Sequence, residues 1–171
     1  YLQALELPIE EWGGPNFENC SENLLYTRPD AIEAVHNAFL EAGCDVIETN
    51  SFGGSEIVLK EFGIAEKTYV NYRSAKLAKR IANDFSTAAQ PRFVAGSIGP
   101  GTKLPTLGHI TYKDLKDAYR EQVRGLVDGG SDVLIVETCQ DLLQTKAALA
   151  AIFDLFAERK TRIPVIAQVT I

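Results

Sequence analysis

The 171-residue sequence contains no methionine, not even at position 1. We therefore expect that Tyr1 is not the start of the native gene product. The sequence also lacks any apolar run that approaches the roughly 20 residues needed to cross a bilayer. No basic segment followed by an apolar one opens the chain, as it would in a signal peptide. These absences argue against membrane and secreted proteins and predict a cytoplasmic location.

Cysteine is scarce, and its spacing is uninformative. The sequence has three cysteines, at positions 20, 44 and 139, and no CxxC pair. An odd number without such spacing is typical of reduced thiols in a cytosol rather than of a disulfide framework. The three cysteines alone do not indicate a zinc site.

Basic clusters are absent as well. The formal net charge is −6, and lysines and arginines alternate with acidic residues. Because nucleic-acid binding depends on clustered basic side chains, we do not expect a nucleic-acid partner. With 46% hydrophobic residues, 23% charged residues and scattered prolines and glycines, the composition predicts a globular core and no linker. Residues 1–171 therefore form one domain or part of one.

Apolar spacing and end signals divide the chain into alternating elements. Helices are predicted from about residue 27 or 28 to residue 42, with Pro29 in the first turn, and over residues 64–85, 113–127 and 141–158. Strands are predicted over residues 44–50, 93–98, 133–138 and 165–171. The apolar stripe predicted for the last helix comprises Leu142, Leu143, Ala147, Leu149, Ile152 and Phe156. The short run at residues 44–50 is of the type covered on both faces of a sheet.

Strict alternation of helix and strand predicts a parallel sheet with helical crossovers. Two architectures satisfy it: a doubly wound open sheet and a (β/α)8 barrel. A barrel typically needs about 250 residues, so this chain would hold roughly half of one. The open sheet lacks the GxGxxG fingerprint of its usual cofactor, because residues 99–101 are too short and include a proline. Composition and periodicity leave both architectures open.

In either architecture a ligand lies beyond the carboxyl ends of the strands. Two nearly repeated segments, AGCDVIET and GGSDVLIVET, each end there on Glu-Thr. The polar and small candidates at these ends are Glu48, Thr49, Asn50 and Ser51, then Ser97 and Gly99, then Glu137, Thr138 and Cys139. An enclosed carboxylate needs a partner. Glu137 follows the longer apolar run, so it is the better functional candidate.

The remaining reactive side chains carry weaker signals. Cys139 lies at the ligand end of its strand, but the favoured role is that of a small buried residue. A joint metal site with Cys20 and Cys44 is geometrically poor, since Cys44 opens its strand at the opposite end. His36 lies among apolar helical neighbours and is predicted to be a hydrogen-bonded packing residue. His109 lies in the long segment 99–111, whose length suits a functional loop.

Four segments together resemble a known family. They are RPDAIEAVHNAFLEAGCDVIETNSF at residues 28–52, VAGSIGP at 94–100, AYREQ at 118–122 and VLIVET at 133–138. In this order and at these separations they resemble the homocysteine S-methyltransferase domain of cobalamin-dependent methionine synthases. The resemblance covers nearly all of the chain from about Cys20 onward. No single segment would suffice.

The resemblance implies a (β/α)8 barrel that transfers a methyl group. In the family, zinc holds the thiolate of homocysteine, which takes the methyl group of methylcobalamin, supplied in turn by methyltetrahydrofolate, to give methionine. A metal-bound thiol is deprotonated, so it is nucleophilic at neutral pH. The implied partners are homocysteine and the cobalamin- and folate-binding domains of the same full-length protein.

The resemblance also implies site residues. Glu137 matches the strand-end glutamate that binds the substrate amino group, with Thr138 beside it. Gly53 stands where betaine-dependent relatives carry a tyrosine, which favours another methyl donor. The implied substrate-binding residues are Glu137, Thr138, Thr49, Asn50, Ser51 and Gly99.

Two departures from the family pattern limit this chain. The first barrel strand should precede Tyr1, and the three zinc-binding cysteines belong beyond Ile171. Cys20, Cys44 and Cys139 do not match them, so we expect neither the zinc site nor the cobalamin site here. The chain alone is predicted to be inactive, with two open sheet edges. The alternatives are a betaine- or S-methylmethionine-dependent homocysteine methyltransferase and a non-catalytic α/β amino-acid-binding module.

Overall fold

The computed structural model describes residues 2–170, apart from the side chains of Gln3 and Lys67. Its strands are β1 (Val46–Glu48), β2 (Phe93–Ile98), β3 (Val133–Cys139) and β4 (Val165–Val169). They form one parallel sheet in the order β1-β2-β3-β4. All four predicted strands are confirmed, although β1 is shorter than residues 44–50. The predicted last strand included Ile171, which lies outside the described residues, as does Tyr1.

Helices separate the strands. The α-helices are α1 (Ile9–Trp12), α2 (Leu24–Thr27), α3 (Pro29–Glu41), α4 (Glu56–Glu61), α5 (Lys67–Phe85), α6 (Tyr112–Asp128) and α7 (Leu142–Arg159). Short 3-10 turns occur at Leu2–Leu5, Pro15–Phe17, Ser21–Asn23 and Pro105–Leu107. The four long helices match the prediction. The sequence analysis missed α1, α2 and α4 because one or two turns are too short to show a readable period.

Local signals explain where the long helices begin. The Thr111 hydroxyl accepts a hydrogen bond from the Asp114 amide at 3.1 Å and caps α6. The Asp141 carboxylate accepts from the amide of Leu143 at 2.7 Å and caps α7. Such side chains satisfy amides that have no partner inside the helix. Pro29 occupies the first position of α3, where its missing amide is tolerated.

The strand order separates the two candidate architectures. A doubly wound sheet reverses its strand order at a switch point, whereas this order runs straight from β1 to β4. Right-handed crossovers between successive neighbours place all helices on one face. The other face is open, and Val46, Phe93 and Ile166 lie exposed on it. The arrangement is that of a sector of a (β/α)8 barrel, as predicted.

The open face also corrects one expectation. Residues 44–50 were predicted to be covered on both faces, but in β1 only Ile47 is buried, while Val46 and Glu48 are exposed. The helices of this chain pack against one face of the sheet. Nothing among residues 2–170 covers the other face of β1.

The main core lies between β2, β3, α6 and α7. Its buried side chains include Ile98, Tyr119, Leu134 and Ile152. The apolar stripe predicted for α7 is partly wrong, because Leu142 and Leu143 are exposed. These two leucines lie on the solvent side of the first turn, where Gln144 and Thr145 are the buried residues instead. A second cluster packs the N-terminal segment around Trp12 and Leu24.

Helices α5 and α6 approach closely at Gly125. A Cβ added there would lie 2.3 Å from the Thr68 carbonyl oxygen and 2.9 Å from the Tyr72 amide nitrogen. Both atoms are backbone, so the helices would have to separate. We expect Gly125→Ala to lower the free energy of unfolding by about 2 kcal/mol, the usual cost of overpacking. Chemical denaturation of the protein measures this change.

The control for Gly125→Ala is Asp117→Ala on the exposed side of α6. An exposed substitution of this kind changes stability by no more than about 0.5 kcal/mol. Equal effects of the two variants would contradict the close-packing argument.

Candidate functional site

The carboxyl ends of β1, β2 and β3 bring Glu48, Ser97 and Glu137 to the same open face of the sheet. The register pairs Glu48 with Ala95 and Ser97 with Ile135. Side chains two residues apart on one strand point to the same face, so Ser97 shares the face of Ala95 and Glu137 shares the face of Ile135. The Ser97 hydroxyl donates a hydrogen bond to Oε1 of Glu137 at 2.6 Å. Ser97 is buried and Glu137 is half-buried. Glu137 therefore has the fixed hydrogen-bond donor that an enclosed carboxylate needs.

The two Glu-Thr ends differ in their surroundings. Glu48 is exposed, and its carboxylate makes no hydrogen bond to any residue of the described part of the chain. Partial burial, and then the negative charge of Glu137, raise the pKa of Glu48. Glu48 therefore does not brace the segment that follows its strand. The near repeat in sequence does not make two equivalent sites.

Residues 49–54, which we call the rim loop, are tied to β2 by a closed ring of hydrogen bonds. The Ser97 amide donates to Oγ1 of Thr49 at 2.9 Å, and Oγ of Ser51 donates to the Ser97 carbonyl oxygen at 2.8 Å. The two hydroxyl oxygens are 2.6 Å apart. Because the Ser51 hydroxyl already donates its proton to the Ser97 carbonyl oxygen, the Thr49 hydroxyl must be the donor in its hydrogen bond with Ser51. Both hydroxyls therefore hold the loop beneath the site.

The rim loop is also anchored to the N-terminal segment. The Gly53 amide donates to Oε1 of Glu22 at 2.7 Å, and the Asn50 side chain donates to the Ser21 carbonyl oxygen at 2.7 Å. Glu22 is only 4% exposed. Burial raises the pKa of Glu22, although the Gly53 hydrogen bond acts in the opposite direction. Sequence reasoning missed Glu22, because it lies in an irregular segment 31 residues from the amide it binds.

Gly99 allows the end of β2 to meet the rim loop. Its amide donates to the Phe52 carbonyl oxygen at 3.2 Å. A Cβ at position 99 would lie 2.4 Å from that same oxygen. Only glycine permits this approach, because the obstructing atom is backbone. Gly99 thus shapes the rim, and its contact with substrate stays a prediction.

Thr138 has an unusual backbone conformation beside Glu137. Its φ is 58°, in the left-handed region, and the pairing of β3 with β4 shifts between Val136 and Cys139. Such a bulge re-aims the side chains that follow it. Cys139 consequently turns towards the helices, where it is fully buried, as predicted for a small core residue. Burial raises the pKa of the Cys139 thiol.

The long segment 99–111 folds against the start of α7. The Thr106 amide donates to Oδ2 of Asp141 at 3.0 Å. His109 is exposed, and its Nδ1 accepts from the Leu104 amide at 3.4 Å. The functional role of this loop stays a prediction.

His36 is buried, as predicted, but the predicted hydrogen bond is wrong, because its imidazole makes none to the residues that the structure describes. Its Nε2 has no partner among residues 2–170. His36 lines a cavity of about 370 Å³ along the outer edge of β1, beside Phe39, Val46 and Glu48. Burial lowers the pKa of His36 to about 4. The imidazole is therefore neutral at neutral pH.

The described residues contain no cluster of metal-binding side chains. Within residues 2–170, no three His, Cys, Asp or Glu side chains converge closely enough to hold a metal ion. We therefore assign no metal-dependent step to these residues. The Glu137 carboxylate and its hydroxyl neighbour suit a cationic hydrogen-bond donor such as an ammonium group. None of the described helices has the length and apolar character required to cross a bilayer.

Comparison with known proteins gives concordant results. The family model for homocysteine S-methyltransferase matches residues 2–171. The chain is 44% identical to the methionine synthase of Mycobacterium leprae and 43% identical to that of Mycobacterium tuberculosis, over 99% of this chain in both cases. It spans 14% of the length of each of these relatives.

Solved structures agree on the fold. The metallated form of the homocysteine methyltransferase MmuM from Escherichia coli superposes with a TM-score of 0.74 at 24% identity. The match covers 95% of this chain and 57% of that one. The oxidized form gives the same TM-score and identity. The partial coverage agrees with a chain that holds about half of a barrel.

Proposed function

Because this chain belongs to the homocysteine S-methyltransferase family, we propose that it is the part of a methionine synthase that binds the amino-acid end of homocysteine. The proposed reaction of the full-length protein is transfer of a methyl group to the homocysteine sulfur, which gives methionine. The identity to two methionine synthases supports this proposal. We also propose a cytoplasmic location, in keeping with three free cysteines.

One observation carries the proposal: the Ser97–Glu137 pair at the strand ends. Oε1 of Glu137 accepts a hydrogen bond from the Ser97 hydroxyl, and this bond fixes the orientation of the carboxylate. The other oxygen remains available for the ammonium group of an amino acid. A charge-assisted hydrogen bond to that group is stronger than a neutral one. In this proposal the Thr49–Ser51 ring holds Ser97 in place, while Asn50, Gly99 and Thr138 shape the surrounding rim.

These residues bind and orient the substrate, but they do not activate its sulfur. Zinc, held by residues outside this chain, would supply a thiolate at neutral pH. The proposed methyl donor is methylcobalamin, recharged from methyltetrahydrofolate on other domains of the full-length protein. The contribution of this chain is to fix the amino end, so that the sulfur reaches the donor in a productive orientation.

The test is an activity assay of the full-length protein. Methionine formation from homocysteine is measured with methylcobalamin, with betaine and with S-methylmethionine as separate donors. We expect product with methylcobalamin and none with the other two. The chain of 171 residues alone is expected to be inactive. Turnover with betaine or S-methylmethionine would contradict methylcobalamin as the methyl donor. No turnover with any donor would contradict the proposed function.

A further inference from the structure

The buried carboxylate of Glu22 has no part in the function proposed above. It lies in the Ser21–Asn23 turn, outside the sheet, and is 4% exposed. Oε1 accepts from the Gly53 amide at 2.7 Å, and Oε2 accepts from the Ser21 hydroxyl at 3.2 Å. The Cys20 thiol is 4.0 Å from Oε2. A carboxylate in such a place needs these donors, because burial disfavours its charge.

Glu22 and Gly53 fit each other closely. A Cβ added at Gly53 would lie 3.0 Å from Oε1 of Glu22 and 3.2 Å from both its carboxyl carbon and Oε2. A side chain at position 53 would therefore begin closer to the carboxylate than ordinary van der Waals contact, and the carboxylate would have to shift.

The contact at Gly53 connects to Glu137 through a short series of hydrogen bonds. The Gly54 amide donates to the Ser51 carbonyl oxygen at 2.9 Å, which closes a turn around Gly53. Ser51 bonds to the backbone of Ser97, and the Ser97 hydroxyl bonds to Glu137. A shift of Gly53 would consequently disturb the group that orients the carboxylate.

We propose that Glu22 is a positioning residue for the substrate site: it fixes the rim loop, keeps position 53 free of a side chain and so sets the shape of the pocket beside Glu137. This inference rests on the proposed function, because it takes the rim loop to line the homocysteine pocket. Glu22 acts through the rim loop and is not itself required to touch the substrate.

Two measurements on the full-length protein test the role of Glu22. The first is hydrogen exchange of the rim-loop amides, and the second is the KM and kcat for homocysteine. Glu22→Ala leaves the half-buried Gly53 amide without its carboxylate acceptor. We expect about tenfold faster exchange at Gly53 and a KM about tenfold higher, with kcat within about twofold. Glu22→Gln keeps an acceptor oxygen and should restore both values to near wild type.

The matched control is Glu41→Ala, which removes an exposed glutamate at the end of α3 and should change neither measurement. Glu22→Asp, one methylene shorter, replaces the alanine variant if that variant does not fold. Unchanged exchange at Gly53 in Glu22→Ala, or in Glu22→Asp where it replaces the alanine variant, would overturn the positioning role. Faster exchange in a protein that never turns over homocysteine would leave that role standing and overturn the proposed function instead.

A double-mutant cycle tests the pairing with Gly53. Gly53→Ala should raise the KM about tenfold in the wild-type background, because its Cβ meets the carboxylate. In the Glu22→Ala background the obstruction is gone, so the same substitution should raise the KM less than about twofold further. If the KM of the double variant instead rises by the product of the two single-variant increases, the residues act independently and the proposal is overturned.

Discussion

Replacement of Glu137 with glutamine is expected to weaken homocysteine binding by the full-length protein about 100-fold. The variant keeps the size of the side chain and an oxygen that can accept from the Ser97 hydroxyl. It removes the negative charge that we assign to the substrate ammonium group. Loss of one member of a hydrogen-bonded charge pair costs at least about 2 kcal/mol, and about 2.8 kcal/mol corresponds to 100-fold.

Isothermal titration of homocysteine into the zinc-loaded full-length protein measures this effect. Glu48→Gln is the matched control, because Glu48 ends β1 on the same face of the sheet but binds no hydroxyl in residues 2–170. We expect its affinity to change by less than about threefold. Ser97→Ala should lie between the two variants, since it only loosens the orientation of Glu137. Normal affinity in Glu137→Gln would refute the assigned amino-group contact.

The second large effect is a loss of stability in mild acid that depends on His36. An unfolded histidine takes up a proton near pH 6.5. In the folded protein burial lowers the pKa of His36 to about 4. Because the unfolded state binds more protons between these values, stability falls as the pH falls from 6.5 towards 4. The full loss is about 3 kcal/mol, and about 2 kcal/mol of it should be present at pH 5.

Denaturation at pH 7 and pH 5 measures this loss. Glu48 lines the same cavity, and its raised pKa acts in the opposite sense, because it favours the folded state as the pH falls. Comparison of the wild type with His36→Leu, which still contains Glu48, isolates the histidine. The variant should lose about 2 kcal/mol less than the wild type between the two pH values. His109→Leu removes an exposed histidine and should behave like the wild type.

Much of the fold was predictable, because the signals for it are local. Thr111 and Asp141 lie at the helix starts that their residue types indicate, and the apolar runs of β2 and β3 lie in the centre of the sheet. Leu142 and Leu143 of α7 do not follow their apolar character. That character could not reveal that the polar Gln144 and Thr145 occupy the buried side of the first turn.

The site was predictable only in part. Glu137 stood out because a carboxylate after a long apolar strand needs a partner, and the structure supplies Ser97. The resemblance to a family added the homocysteine function, but it did not point to Glu22. That residue acts across 31 positions in sequence on a loop whose path depends on the packing of the N-terminal segment.

Local spacing is enough to predict the alternation of helices and strands and the end of the sheet at which polar residues collect, because periodicity and caps depend on near neighbours. The three-dimensional arrangement adds the order of the strands, which is that of a barrel sector and which periodicity alone left open against a doubly wound sheet. It also decided which of the two Glu-Thr ends has a hydroxyl partner and which residue braces the rim. These features are contacts between distant segments, and no local spacing encodes them.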